Sequence, residues 1–317
     1  MTRKIIGSGH EKIIGELANA RSNQLVRIEQ QAIKFIKSVA AKNDNIHVAY
    51  SGGKDSEVLL YLVRKSGIKY TAFYNATTID PPGTINWIRQ HTDVQIIQPR
   101  YTFYQLIEHR GLPTFARRFC CAFLKERYTA ETVLAGIRRL ESQRRSQLYA
   151  EPEVCKLYDH DKRTRQYYPI FYWTDKQIAA YIEFRHIQCH HDYYDRNKQF
   201  HVERRLGCLG CPLPAHRSID DFRKYPNLAR AWCRALAVYR NTRPKLTNSV
   251  AYFADEYQNL QCNLFFKTYQ DFAEYRHRHP NYNAKDELES LLGVTLPEPR
   301  ARLTDICQKL GVTCPSF

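Results

Sequence analysis

Six consecutive residues, Ser51-Gly52-Gly53-Lys54-Asp55-Ser56, concentrate the chemistry of this chain. The two glycines let backbone N–H groups approach an anion closely, the two hydroxyls can donate, and Lys54 adds a full positive charge. Ahead of them runs the largely apolar stretch Ile46 to Tyr50, and behind them the helical pattern EVLLYLVRK, so the six residues form a tight turn between a strand and a helix. A helix that opens on such a turn directs its unpaired N–H groups and positive dipole end at one point, which makes a phosphate cradle. The dipole contributes only about 0.3–1 kcal/mol at an exposed site, so lysine and the convergent amides must carry most of the affinity. A Walker A loop would need glycine at 48 and a hydroxyl at 55, where this chain has Val48 and Asp55. A purely connective Gly-Gly turn would leave the lysine, the aspartate and the hydroxyls unexplained.

Thiols form a second constellation. Of ten cysteines, Cys120-Cys121 lie in RRFCCAFLK and Cys208-x-x-Cys211 in RRLGCLGCPLP. Around one Zn²⁺, with Zn–S near 2.3 Å, four sulfurs must converge to within about 4 Å of one another, which adjacent residues meet with difficulty. A [4Fe-4S] cube spreads its ligands over four irons and accepts neighbouring cysteines at separate corners. Zinc and buried unliganded thiols are the competing readings. Cys155, Cys189, Cys233, Cys262, Cys307 and Cys314 lack ligand spacing and read as core or loop thiols. His186, His190 and His191 beside Cys189 have no second cysteine pair, and read as structural groups rather than a zinc site.

The elements that position these groups follow from periodicity. Residues 10 to 42 carry helical spacing. Strand and helix patterns then alternate: IHVAY, a helix over 56–66, YTAFYNA, a turn at Asp80-Pro81-Pro82-Gly83, a helix over 84–91, VQIIQ, a helix near 102–109, a helix through Lys125 and a short strand TVLAGI. This predicts an α/β fold, a parallel twisted sheet with helices on both faces, followed by a helical C-terminal appendage. The expected division is a helical segment 1–44, a nucleotide-binding and Fe-S domain 45–225, and a helical region 226–317. Ligands of such sheets bind beyond the carboxyl ends of strands, where Ser51, Asn75 to Asp80 and Gly136 to Arg139 emerge. Thr174 or Asp175 should cap the helix in IFYWTDKQIAAYIEF.

A formal net charge of +16 in 317 residues implies anionic partners. The cations cluster at Arg117-Arg118, Lys125-Glu126-Arg127, Arg138-Arg139, Arg144-Arg145, Lys162-Arg163 and Arg204-Arg205, among Tyr101, Phe103, Tyr104, Tyr128 and Tyr149. A nucleotide needs few cations, whereas a nucleic acid uses a broad basic surface; a solvated face that only maintains solubility is the plainer alternative. No stretch of 18 or more apolar residues and no signal-peptide core occurs, so the expectation is a cytoplasmic protein with reduced thiols and no membrane partner.

SGGKDS resembles the PP-loop of ATP pyrophosphatases and sulfonucleotide reductases, with the adenine nucleotide alpha hydrolase-like fold. The Cys-Cys pair followed by Cys-x-x-Cys resembles the [4Fe-4S] pattern of the adenylyl-sulfate reductase branch of the PAPS reductase family. GIRRLESQRR (136–145), YPIFYWTDKQIAAYI (168–182) and DYYDRNKQFHVERRLGCLGCPL are similar to further elements of that family, so the resemblance runs over residues 40 to 225. It implies that Ser51, Gly52, Gly53, Lys54 and Ser56 hold phosphate, that Asp55 positions Mg²⁺, and that Thr77, Thr78, Asp80 and Gly136 contact ATP, adenylyl sulfate or PAPS. Arg138 and Arg145 would stabilise charge on the transferred group, Glu141 would orient an arginine, and Cys120, Cys121, Cys208 and Cys211 would ligate a [4Fe-4S] cluster. Two reactions are open. Reductases use a cysteine in E-C-G-[LI]-H and thioredoxin, whereas this sequence ends LTDICQKLGVTCPSF. Cluster-bearing ATP pyrophosphatases of DNA phosphorothioation instead activate a nucleic acid for sulfur supplied by a cysteine desulfurase partner. The second is the expected activity; a nucleotide- or nucleic-acid-binding accessory without turnover is a third class.

Overall fold

The computed structural model describes residues 7–113, 118–141, 151–158, 162–211, 215–242, 256–265, 269–293, 295–296 and 298. The chain divides into two units that interleave along the sequence. One comprises Met1–Asn75, Pro82–Ile97 and Tyr128–Leu206; the other comprises Ala76–Pro81, Gln98–Arg127 and Gly207–Phe317. The three-part division expected from sequence, 1–44, 45–225 and 226–317, ran along the chain, whereas neither unit is contiguous in it.

In the first unit the strands are β1 (Ile46–Ala49), β2 (Thr71–Asn75), β3 (Val94–Ile97), β4 (Thr132–Ala135), β5 (Glu153–Tyr158) and β6 (Lys162–Tyr167). They form one sheet in the order β3-β2-β1-β4-β6-β5, parallel throughout except for β5, which runs antiparallel on β6. This is the expected α/β architecture. Chain order proceeds outward from β1 through β2 to β3, and then returns to the other side of β1 with β4. The carboxyl ends of β1 and β4 therefore flank the topological switch point, where open sheets of this type leave a crevice. All four β4 residues are buried, as expected of a central parallel strand.

The β5–β6 pair was not expected. Its sequences, EVCKLY and KRTRQY, carry too few apolar residues to register as strands, and the buried positions of β6 include Thr164 and Gln166. Polar groups can occupy such positions because the ladder and side-chain partners satisfy them: Thr164 Oγ1 lies 2.9 Å from Thr129 Oγ1, and Gln166 Oε1 accepts from the Tyr168 hydroxyl at 3.0 Å.

Three helices of this unit, α1 (Gly7–Ala40), α2 (Lys54–Ser66) and α5 (Asp175–Phe184), are tied together by one buried carboxylate. Glu29 is 3% exposed, yet it accepts from Tyr181 Oη at 2.6 Å and from Arg185 Nε and Nη2 at 2.7 and 3.0 Å, and pairs with Lys65 Nζ at 2.7 Å. Burial alone would raise its pKa; the bonds from Lys65, Tyr181 and Arg185 outweigh burial and hold it below the ordinary carboxylate range. Thr174 caps α5 reciprocally with Gln177, the first of the two caps expected from sequence.

The second unit contains α4 (Phe103–Arg110), a short π-helical turn at Cys121–Lys125, and α6 (Ala215–Lys224), α7 (Pro226–Thr242), α8 (Glu256–Phe265), α9 (Tyr269–Arg278) and α10 (Ala284–Leu292). Its main core joins Phe103, Leu106 and Ile107 of α4 to Phe222, Trp232 and Leu236. The C-terminal helices are thus packed around a helix that precedes them by more than a hundred residues in sequence. Among the described residues no helix is long and apolar enough to cross a membrane.

Glu29→Gln should cost about 2 kcal/mol at neutral pH, because it strands the Arg185 and Lys65 cations. The folded-state pKa of Glu29 is depressed, so its contribution is present above the unfolded value and lost as pH falls through the folded one. Urea unfolding of both proteins should therefore show a gap at pH 7 that narrows below about pH 4.

Candidate functional site

The turn after β1 is built by its own polar atoms. Gly52 has φ +72°, a left-handed conformation that glycine adopts without strain, and an added Cβ would stand 3.3 Å from Leu206 Cδ2. Ser56 Oγ donates to the Gly53 carbonyl at 2.7 Å and accepts from Ser51 N at 3.2 Å, while Gly53 N points at Ser51 Oγ at 3.4 Å. The two serines expected to hold phosphate thus also close the turn. Gly53 is the N-cap of α2, with Asp55 and Glu57 in the first helical turn where the dipole favours negative charge.

Lys54 is only 3% exposed. Its backbone N–H donates to Tyr193 Oη at 3.2 Å, and its ammonium reaches Asp55 Oδ2 at 3.0 Å. The same tyrosine oxygen accepts from Leu206 N at 3.2 Å, so one buried hydroxyl holds both the phosphate turn and the segment leading to the Cys-x-x-Cys. Burial pushes the Tyr193 phenol up to about 12, which keeps it neutral at physiological pH. Sequence reasoning did not single out Tyr193, although it lies in the quoted DYYD stretch.

Asp55 carries the electrostatics of the site. Its second oxygen, Oδ1, accepts from Arg138 Nε at 2.7 Å; Arg138 also donates to Asp175 Oδ1 at 2.6 Å and to the Trp173 carbonyl at 3.2 Å. Arg138 is 1% exposed, and the carboxylates of Asp55 and Asp175 hold its pKa above its ordinary value despite burial. Its guanidinium is thus committed to the loop rather than aimed outward. Beneath it, Gly136 touches the loop backbone: a Cβ there would meet Asp55 O at 2.8 Å and Asp55 C at 2.9 Å. Glu141 lies 3.8 Å from Arg205, an arginine it can orient, and Arg145 lies outside the described residues.

Deeper in the same unit, Glu57 is 3% exposed and accepts from Tyr50 Oη and from Trp87 Nε1, the latter at 2.7 Å. His91 Nε2 lies 3.5 Å away. These bonds anchor the first turn of α2 to Tyr50, the residue after β1, and to α3 (Thr84–Arg89).

In the second unit, Thr77, Thr78 and Asp80 form a self-bonded turn. Asp80 Oδ2 accepts from Thr77 N at 3.0 Å, and Thr78 Oγ1 accepts from Phe103 N at 2.8 Å, at the start of α4. The four cysteines are brought into one neighbourhood here. Leu209 N donates to the Ile79 carbonyl at 2.9 Å, Gly210 N donates to Asp221 Oδ2 at 2.9 Å, and Cys208 Sγ lies 3.5 Å from Thr77 Oγ1. Gly210, at φ +66°, leaves no room for a side chain, since a Cβ would stand 2.9 Å from Trp232 Cζ2. Cys120 donates to Cys121, which raises Cys120 and lowers Cys121, and Cys208 and Cys211 push Cys120 further up. Cys208, Cys121, Cys211 and Asp80 together raise the Lys125 ammonium, so a cation stays charged beside the thiols.

Gly136→Ala should displace the Asp55 backbone, because a carbonyl cannot yield as a side-chain tip can. Calorimetric titration with an adenine nucleotide should show affinity reduced about tenfold or more, the scale of 1–3 kcal/mol for overpacking.

The sequence profile of the phosphoadenosine phosphosulfate reductase domain matches residues 45–214. An uncharacterized protein of Methanocaldococcus jannaschii is 25% identical over 246 residues, 72% of this chain and 49% of that protein. The adenosine 5'-phosphosulfate reductase of Neisseria meningitidis is 24% identical over 224 residues, 68% of this chain and 86% of the reductase. The sulfate adenylyltransferase subunit 2 of Burkholderia lata is 27% identical over 227 residues, 58% of this chain and 72% of that subunit. Against the first two curated relatives it matches, the chain spans about half of their length, 49% and 56%. Among solved structures, the phosphoadenylyl-sulfate reductase of Candida auris is similar at 15% identity with a TM-score of 0.40, covering 53% of this chain and 88% of that one. A phosphate turn at the carboxyl end of β1, with Gly136 and Arg138 after β4, lies inside the matched span, and the chain belongs to the phosphoadenosine phosphosulfate reductase domain family.

Proposed function

We propose that the protein is a PP-loop ATP pyrophosphatase that activates a nucleic acid for sulfur incorporation, with a [4Fe-4S] cluster on Cys120, Cys121, Cys208 and Cys211. The observation that carries the nucleotide reading is Lys54, set at the head of α2 by its backbone bond to Tyr193 and by its ion pair with Asp55. In that position a phosphate oxygen can exchange with the Asp55 carboxylate for the ammonium, and the glycine amides supply the remaining donors. Arg138 acts as a positioning residue, since its guanidinium is taken up by Asp55, Asp175 and the Trp173 carbonyl. The Mg²⁺ assigned to Asp55 does not fit its surroundings. Both carboxylate oxygens are engaged by cations, and a divalent ion there would sit between an ammonium and a guanidinium.

The thiols fit a cluster better than one ion. Around a single zinc four sulfurs must converge to within about 4 Å of one another, which the adjacent Cys120 and Cys121 meet with difficulty. A cube spreads its ligands wider. When bound, it would cross-link the Cys120–Cys121 and Cys208–Cys211 turns and set the charge beside Lys125.

A nucleic-acid substrate is supported by the net charge of +16 and by arginines laid over exposed rings: Arg110 is 4.3 Å from the Phe123 centroid and Arg100 is 5.3 Å from that of Tyr101. Both rings are 38% exposed, the pairing of cation and stacking surface that single strands use. A backbone phosphate oxygen would take up the adenylyl group with loss of pyrophosphate. The terminal sulfur of a cysteine desulfurase persulfide would then attack the backbone phosphorus, and AMP would leave with the oxygen. A second thiol, itself oxidised to a disulfide, would cleave the S–S bond and release the phosphorothioate. The second reading, reduction of adenylyl sulfate or PAPS with thioredoxin, is favoured by the Neisseria reductase, most of whose length aligns. Against it, the 317 residues contain no E-C-G-[LI]-H motif.

Anaerobically purified protein given ATP with DNA or tRNA should release pyrophosphate, and given adenylyl sulfate or PAPS with thioredoxin should release no sulfite. Sulfite in the second assay would overturn the first reading in favour of the reductase, and tight nucleotide binding without either product would leave an accessory role. The same preparation should contain iron and acid-labile sulfide, both lost in Cys208→Ser; zinc in place of iron would refute the cluster.

A further inference from the structure

The turn that carries Tyr193 holds a second set of donors that nothing above employs. His190, His191 and Asp192 each offer one ligand atom, and these atoms all lie within 4.8 Å of one another. Asp192 stands between the two imidazoles: Oδ2 is 3.7 Å from His190 Nδ1, and Oδ1 is 3.6 Å from His191 Nε2. Both separations are too long for N–H···O hydrogen bonds. They are close to the spacing of about 3.3 Å that a tetrahedral ion with metal–ligand distances near 2.0–2.1 Å imposes on its donors.

Three features pre-set these donors. His190 is fully buried, and its ring is oriented by a bond that Nδ1 accepts from Asp192 N at 3.2 Å, which an ion taking that nitrogen would replace. The His191 ring lies 4.0 Å from the His190 ring and packs on Gly83, where a Cβ would stand 2.8 Å from its Cε1. Arg204 Nη1 donates to the carbonyls of Asp192 and Tyr194, at 3.2 and 2.6 Å, and fixes the backbone of the turn. His191 remains 67% and Asp192 28% exposed at the side chain, so the set is open to solvent on one side.

We propose that His190, His191 and Asp192 bind one divalent transition-metal ion of the zinc class. Two imidazoles and one carboxylate suit Zn²⁺ and its neighbours, whereas Mg²⁺ prefers an all-oxygen shell. Three protein donors leave a coordination position for water or an anionic ligand. The sequence pointed away from zinc at these histidines for want of a second cysteine pair; the donor that completes the set is Asp192, which spacing alone does not single out. The site belongs to the unit that carries the phosphate turn, while the four thiols belong to the other. Through the neighbouring Tyr193, whose hydroxyl receives Lys54 N–H, a bound ion stiffens the support of that turn.

Cobalt titration of the full chain separates this site from the thiols, because thiolate-bound Co²⁺ shows intense sulfur-to-metal charge transfer and nitrogen–oxygen sites show only weak d–d bands. The wild type should take up one equivalent with the weak bands alone, and these should persist in Cys208→Ser. His191→Ala and Asp192→Asn should each weaken that binding by more than about 100-fold, beyond what an outer-shell partner costs. Unchanged cobalt affinity in both variants, or a wholly thiolate spectrum in the wild type, would overturn the proposal. A measurement on the wild type needs no variant to fold: Zn²⁺ should slow carbethoxylation of His191, mapped by mass spectrometry, at least tenfold, and an unaltered rate in zinc-loaded protein would likewise overturn it.

Discussion

Two cations almost withdrawn from water, Lys54 and Arg138, can share the head of α2 only because the Asp55 carboxylate stands between them. Taking such ions out of water costs several kcal/mol each, so the arrangement persists only where every charge has a partner at hydrogen-bond distance. Much of the surrounding structure serves that condition. Asp175 takes the other side of the Arg138 fork, Gly136 gives up its side chain so that the Asp55 backbone can approach, and Tyr193 receives the Lys54 amide. The phosphate turn is therefore a small neutral lattice of alternating charges, in which a phosphate can replace one carboxylate contact without leaving a buried lysine alone.

The second unit solves a different problem. Four thiols lie in one neighbourhood on segments separated by more than eighty residues, and Cys120 and Cys208 pack against the core. The work is done by backbone bonds and by fit: Leu209 on the Ile79 carbonyl, Gly210 on Asp221, and a glycine pressed against Trp232. Cys120 and Cys208 border the core formed by α4 and the C-terminal helices. The helical tail is thus the other half of the scaffold around the thiols.

How much of this could be read from residues alone depended on whether the signal was local. β1 to β4 announced themselves as short apolar runs between turn residues, and Thr174 as a cap, because pattern and propensity act over a few residues. β5 and β6 did not, since their buried threonine and glutamine are indistinguishable from surface residues until a partner strand satisfies them. Arg138 was recognised as important yet expected to face the reaction; its fork is occupied by Asp55 and Asp175, which lie 83 and 37 residues away in sequence. Thr77 and Asp80 bond within their own turn, and Thr78 bonds to the start of α4, partners that no local pattern announces.

The sequence by itself determined which residue types are available: a glycine–lysine turn after a strand, suited to phosphate, and four thiols in two close pairs, suited to a metal. Those conclusions rest on residue type and spacing over six to ten positions, which folding cannot alter. Only the tertiary structure decided which charges neutralise one another, that Tyr193 holds the turn, that Asp192 joins two histidines, and that the two motifs belong to different units. Coulombic pairing and close packing act through space at 3 to 4 Å, and the chain separations that bring those atoms together are set by the sheet order and the helix core, which no short stretch of sequence encodes.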